Sequence, residues 1–159
     1  PGLVDRFGGH AMAAGLTLRE SSLPFFETEF AREVERWIDE DTLAGHLHTD
    51  GELLAGEFNV ATAEALREGG PWGSGFPEPM FDGVFGVADT RVVGNRHLKL
   101  KLRATSGEVV DAIAFRYLDG ANAPEIRAND RVRAVYRTGI DEYTGTRKLQ
   151  LVTEWVGKL

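Results

Sequence analysis

The second half of this chain alternates, and that alternation limits its fold more than any other feature. In "HLKLKLR", residues 97–103, a period of two sends Leu98, Leu100 and Leu102 to one face of an extended strand. His97, Lys99, Lys101 and Arg103 fall on the other. Four further segments share this texture: "FDGVFGVADTRVVG", "VVDAIAFRY", "DRVRAVYRTGIDEY" and "KLQLVTEWV". Turn residues separate them at Gly94–Asn95, Ser106–Gly107 and Thr144–Gly145, and the less regular "LDGANAPEIRAND" lies between the third and fourth. Five short strands with a longer connection before the fourth match an OB-type barrel. A small five-strand sandwich or an SH3-like barrel would show the same strand count.

The first half reads differently. "LPFFETEFAREVERWIDED" places Phe26, Phe30, Val34 and Trp37–Ile38 on one helical face, and Pro24 suits the first turn. "LAGHLHTDGELLAGEF" reads as a short strand with a turn at Asp50–Gly51. "NVATAEALREGG" reads as a second helix, with Asn59 or Thr62 as cap and Gly69–Gly70 as stop. The Gly/Pro-rich "GGPWGSGFPEPMF" then marks the clearest boundary, where Trp72 and Phe76 are expected to pin the linker to a domain. The predicted organisation is α+β: an α/β piece over 1–70, a linker over 71–80 and the barrel over 81–159.

Charge follows the same division. Residues 1–70 carry 5 Lys+Arg against 14 Asp+Glu, a balance of −9, whereas residues 71–159 carry 13 against 11, a balance of +2. A net charge of −7 argues against a nucleic-acid binder, but the barrel half is mildly basic. The cationic face of Lys99, Lys101 and Arg103 is either solvated and paired with acids on neighbouring strands, or it tracks an anionic backbone. Arg91, Arg96, Arg147 and Lys148, expected at nearby loops, would extend it. Of the barrel aromatics Phe81, Phe85, Phe115, Tyr117, Tyr136, Tyr143 and Trp155, most are expected in the core, with Tyr143 exposed.

Near the start stands "RFGGHAMAAGLTL", residues 6–18. The glycines are read as the first turn of a short helix, whose backbone N–H groups and dipole favour a phosphate, and "LTLR" as a short strand. His10 offers a hydrogen bond to a phosphate oxygen or a proton for a leaving group. A packing turn explains the same glycines. The four histidines assemble no catalytic or two-metal set; His46, His48 and Asp50 share one face of a presumed solvated strand, so no metal ligand is assigned. The chain has no cysteine, which excludes a disulfide framework and fits a reducing cytoplasm. No apolar run approaches the roughly 18 residues needed to cross a bilayer. The first residue is Pro1, directly before the glycine motif, so the sequence is expected to be a piece of a longer polypeptide.

"GGHAMAAGLTL", with Arg6–Phe7 before it, resembles the Gly-Gly-His motif of the DHH-associated domain in DHH-superfamily phosphoesterases. "GPWGSGFPEPMFDG", "GNRHLKLKL", "AFRY" and "IDEYTGTRKLQLV" resemble, in the same order, stretches of the RecJ-like single-stranded-DNA exonucleases of that superfamily. The resemblance implies a truncated DHH-associated piece followed by an OB domain. It implies a parent that degrades single-stranded DNA 5′→3′ in recombination and repair, with Mn²⁺ or Mg²⁺ held by a DHH domain lacking here, so this fragment alone is expected to be inactive. Carried onto this sequence, Gly8, Gly9 and His10, with Arg6 beside them, face the substrate backbone. Arg96, His97, Lys99, Lys101, Arg103, Tyr143, Arg147 and Lys148 guide the strand. Single-stranded DNA is the expected partner; docking of a single-strand-binding protein on the same cationic face is the alternative.

Overall fold

The computed structural model describes residues 3–10, 13–38, 45–120, 123–143 and 145–159. They form two compact units, residues 1–46 and 47–159.

The first unit is a hairpin and a helix. Strand β1 (Arg6–His10) pairs antiparallel with β2 (Ala13–Thr17), Gly8 opposite Gly15 and Gly9 opposite Ala14. The helix expected over the glycines is therefore not formed. Glycine is a poor helix former, and here pairing with Ala13–Thr17 satisfies the backbone. A single turn of 3₁₀ helix at Glu20–Ser22 leads into α1 (Leu23–Glu35), with Pro24 in its first turn as expected. Phe26 and Phe30 stack at 5.4 Å, and Arg32–Glu29 and Arg36–Glu33 pair across one turn. No described residue of this unit is buried; Phe7 and Trp37 are exposed.

The second unit is built on a closed barrel. Its strands are β3 (Phe81–Val93), β4 (His97–Arg103), β5 (Val109–Ala114), β6 (Arg131–Asp141) and β7 (Lys148–Lys158). The order round the barrel is β3-β4-β5-β7-β6, closed by β6 on β3. Only β5 and β7 run parallel. The five-stranded, OB-type prediction holds, and closure leaves these strands no free sheet edge. Gly94 and Asn95, both at φ 59, make the tight turn between β3 and β4. Period-two alternation fills the interior: Leu98, Leu100 and Leu102 point inward, joined by Val132, Tyr136 and Leu151. Burial of each large side chain supplies about 2 kcal/mol.

Residues 47–80 belong to the barrel unit. Leu53, Phe58 and Ala63 pack on the barrel core, so the compact units divide at His46/Leu47, whereas composition draws its boundary at 71–80. Helix α2 (Val60–Glu68) is capped by Asn59, whose side chain accepts from Thr62 N at 2.9 Å. The strand expected over residues 43–58 is not formed over 45–58, and residues 43–44 lie outside the described residues. The segment lies against the entrance to β3 instead, with Asp50 N donating to Met80 O and Asp82 N to Gly51 O. The linker is pinned as expected: Trp72 Nε1 donates to Leu66 O and its ring lies 4.8 Å from that of Phe76.

Candidate nucleic-acid interface

Strand register sorts the outer face of the barrel into rows. Arg103 of β4 stands opposite Gly86 and Val109. In the next row Lys101 lies between Asp89 of β3 and Asp111 of β5. In the next, Lys99 faces Arg91 on one side and Ile113 on the other, followed by Val152 and Arg137. His97 opposite Val93 ends the series. Both readings of "HLKLKLR" are thus present on one strand. Lys101 is flanked by two aspartates in its row without an ion pair to either, Lys99 reaches Asp141 at 3.6 Å, and Arg91 and Arg103 have no carboxylate within ion-pair distance among the described residues.

The cations expected to extend the face divide the same way. Arg91 and Lys148 lie on strands β3 and β7 rather than in loops, since both fall within the alternating segments and inside the turns that bound them. Arg96 is bound to Asp119, which holds that carboxyl below the usual range. Arg147 is gripped by Glu64 at 2.5 Å and Glu142 at 3.0 Å, so its charge is largely spent within the fold. Lys148 faces Asp141 across the β6–β7 ladder. Asp141 is held below the usual carboxylate range, first by the backbone N–H of Tyr143 and then, against the opposing effect of burial, by Lys99 and Lys148. Tyr143 is 96 % exposed beside this cluster, as its hairpin position predicts.

Two aromatic rings expected in the core are on the surface: Phe115 is 56 % and Trp155 49 % exposed. Phe115 follows the inward Val110, Ala112 and Ala114, so continued alternation sends it outward; the sequence held that signal. Trp155 carries no such signal. Counting by twos from Leu149 and Leu151 points it inward, but a bulge in the β6–β7 ladder at Val135/Tyr136 places it opposite Val135 on the outside. Its indole lies over Gly157, where a Cβ would come within 2.4 Å of the ring. His97 meets Phe115 edge-on at 5.3 Å, and its Nδ1 accepts the backbone N–H of Arg116 at 2.9 Å.

In the first unit Arg6, Gly8, Gly9 and His10 lie on an exposed strand. The helix N-terminus expected to hold a phosphate does not exist there, so no converging amides or helix dipole serve it. Gly9 answers to packing, since a Cβ there would sit 3.0 Å from that of Ala14. His46, His48 and Asp50 lie outside any strand, and no group of three or more His, Asp or Glu fit to hold a metal ion occurs among the described residues. No helix among them is long and apolar enough to cross a membrane.

The family model for the RecJ OB domain matches residues 49–154. The single-stranded-DNA-specific exonuclease RecJ of Haemophilus influenzae is 43% identical over 159 residues, covering 98% of this chain and 27% of that protein. That of Escherichia coli is 41% identical over 155 residues, covering 97% and 26%. This chain therefore spans about a quarter of the length of the curated relatives it matches. Among solved structures, RecJ of Thermus thermophilus in complex with Mn²⁺ superposes with a TM-score of 0.65 at 22% identity, over 99% of this chain and 22% of that one. A likeness at that identity speaks for the fold alone. The closed five-stranded barrel, the residues 47–80 packed on it and the family match over two thirds of the sequence converge: this chain belongs to the RecJ family, and carries its OB domain.

Proposed function

We propose that the chain is a strand-guiding part of a metal-dependent 5′→3′ single-stranded-DNA exonuclease. The observation that carries this reading is the outer face of β3 and β4, where Arg91, Lys99 and Arg103 crowd cations that the neighbouring acids only partly offset. Like charges held side by side on a rigid sheet repel, and a polyanion relieves that repulsion while releasing its own counterions. Exposed rings at Tyr143, Phe115 and Trp155 border the charge, as sequence-tolerant single-strand binding requires.

In keeping with the resemblance, the Mn²⁺ or Mg²⁺ of the parent is assigned to a DHH domain; a solved Thermus thermophilus relative is in complex with Mn²⁺. Gly8, Gly9 and His10 are proposed to border that catalytic centre, in keeping with the resemblance of their motif. In a full-length parent, His10→Ala is then expected to lower kcat more than DNA affinity; unchanged turnover would refute a catalytic part for His10.

Titration of labelled oligo-dT at low and moderate salt tests the barrel. Binding at low salt that weakens with added salt and is lost in Lys99→Glu/Lys101→Glu supports the reading. Absence of binding at low salt, or binding indifferent to the charge reversal, refutes it.

A further inference from the structure

Between the end of β5 and the bulged end of β7 lies a groove of about 310 Å³. Phe115 and Trp155 form parts of its wall, and Arg116, Tyr117, Pro124 and Glu154 complete the polar and apolar lining that matters here. Its volume stands at the lower end of small-molecule sites, which begin at roughly 300 Å³. We infer that this groove takes a nucleobase of the bound strand, stacked on Phe115 and Trp155, with Arg116 beside the adjoining phosphate. The inference rests on the proposed single-strand binding and gives that binding a place on the barrel.

Three observations carry it. First, the rings are presented rather than left over. Gly157 lets the Trp155 indole lie flat on the sheet, and His97 supports Phe115 edge-on. Second, the charge suits an anion. Glu154, the one carboxylate of the lining among the described residues, is engaged by Arg137, and Asp119 nearby is engaged by Arg96. Arg116 has no ion pair within 4 Å among the described residues, and Asp119, to which it is drawn at longer range, is engaged first by Arg96. Its backbone is left-handed at φ 54, anchored by its N–H on His97 Nδ1, so the conformation that places Arg116 on the groove wall is tied to the same histidine that supports Phe115. Third, the groove continues the cationic face. His97 is the next outward residue along β4 after Lys99, itself opposite Arg91. A strand whose phosphates follow those side chains arrives at the aromatic walls with its next base free.

An apolar peptide anchor would fit the same walls, but it gives no reason for an unpaired arginine beside them. A nucleotide does: it brings a π-face and a phosphate at fixed separation.

The test compares labelled oligo-dT with an abasic oligonucleotide of equal length, which keeps the phosphates and removes the bases. The whole chain is expected to bind oligo-dT about tenfold tighter or more, the scale of one or two base–aromatic stacks. Phe115→Leu, which keeps apolar volume and removes the ring, is expected to lower oligo-dT affinity about tenfold and leave abasic affinity unchanged. Phe115→Tyr restores it. In a Trp37→Phe/Trp72→Phe background, Trp155 emission is quenched by oligo-dT and not by the abasic strand. Equal affinity of the chain for the two strands overturns the inference while leaving backbone binding intact, as does a Phe115→Leu loss shared by both. Quenching of Trp155 by an acidic peptide but not by oligo-dT overturns it in favour of protein docking. Failure to bind either strand at low salt refutes single-strand binding itself.

Discussion

The strongest consequence of the barrel's charge arrangement concerns salt. Arg91 and Arg103 project from adjacent strands without a carboxylate within ion-pair distance among the described residues, whereas Arg96 and Arg147 are each bound to one or two. A cation already neutralised by the fold releases few counterions from DNA; an uncompensated one releases its full share. For single strands each phosphate contact contributes about 0.7 to the slope of log K against log salt. Replacing both free arginines in Arg91→Ala/Arg103→Ala should therefore flatten the slope by about 1.4. Between about 50 mM and 200 mM salt, a fourfold change, wild type should lose roughly 7-fold more affinity than this variant. Arg96→Ala/Arg147→Ala should leave the slope near its original value, because its side chains are held by Asp119, Glu64 and Glu142. Lys101→Ala is expected to fall between them, since Asp89 and Asp111 flank it. Fluorescence anisotropy of labelled oligo-dT over a salt series measures all four proteins. Equal slopes in the two double variants, or a larger change in Arg96→Ala/Arg147→Ala, would refute the argument that fold-internal pairing decides which cations meet DNA.

Other consequences concern stability. Leu102 is fully buried at the barrel centre, so Leu102→Ala should cost about 3 kcal/mol in urea unfolding; a loss below about 1 kcal/mol would mean that the barrel collapses round the gap. Asn59→Ala removes the bond to Thr62 N and should cost about 1 kcal/mol, read as a lower urea midpoint. Asp130, held low chiefly by its hydrogen bond from Lys158, and Asp141, held low chiefly by Tyr143 N–H, have folded pKa values below their unfolded ones. Their contribution is present above the ordinary carboxylate pKa of about 4 and is lost as pH falls through the folded values. The urea midpoint should accordingly drop on acidification below about pH 4, and Asp130→Asn should blunt that drop.

The barrel was legible because its determinants are local. Leu98, Leu100 and Leu102 must share a face in any extended strand, and Gly94–Asn95 adopts the left-handed turn that two close strands require. Helices α1 and α2 were legible for the same reason, through apolar spacing, Pro24 and the Asn59 cap. The glycine hairpin was not. Gly8–Gly9 has weak preference for any regular state, so its conformation is set by the partner it finds, here Ala14 and Gly15. The strand expected over residues 43–58 failed similarly over its described part, 45–58, whose backbone bonds to Met80 and Asp82 do not continue into a ladder.

The interface divides along the same line. Its cations and its alternation belong to the sequence, as does the outward direction of Phe115. Which carboxylates stand beside which cations was decided by register, because Asp89 and Asp111 flank Lys101 from positions 12 and 10 residues distant in the chain, a juxtaposition that no one-dimensional pattern contains. The exposure of Trp155 was decided by a bulge in the ladder with β6, which reverses the faces of every residue beyond it. Side-chain direction along a strand is a property of the chain; what stands beside that side chain is a property of the closed barrel.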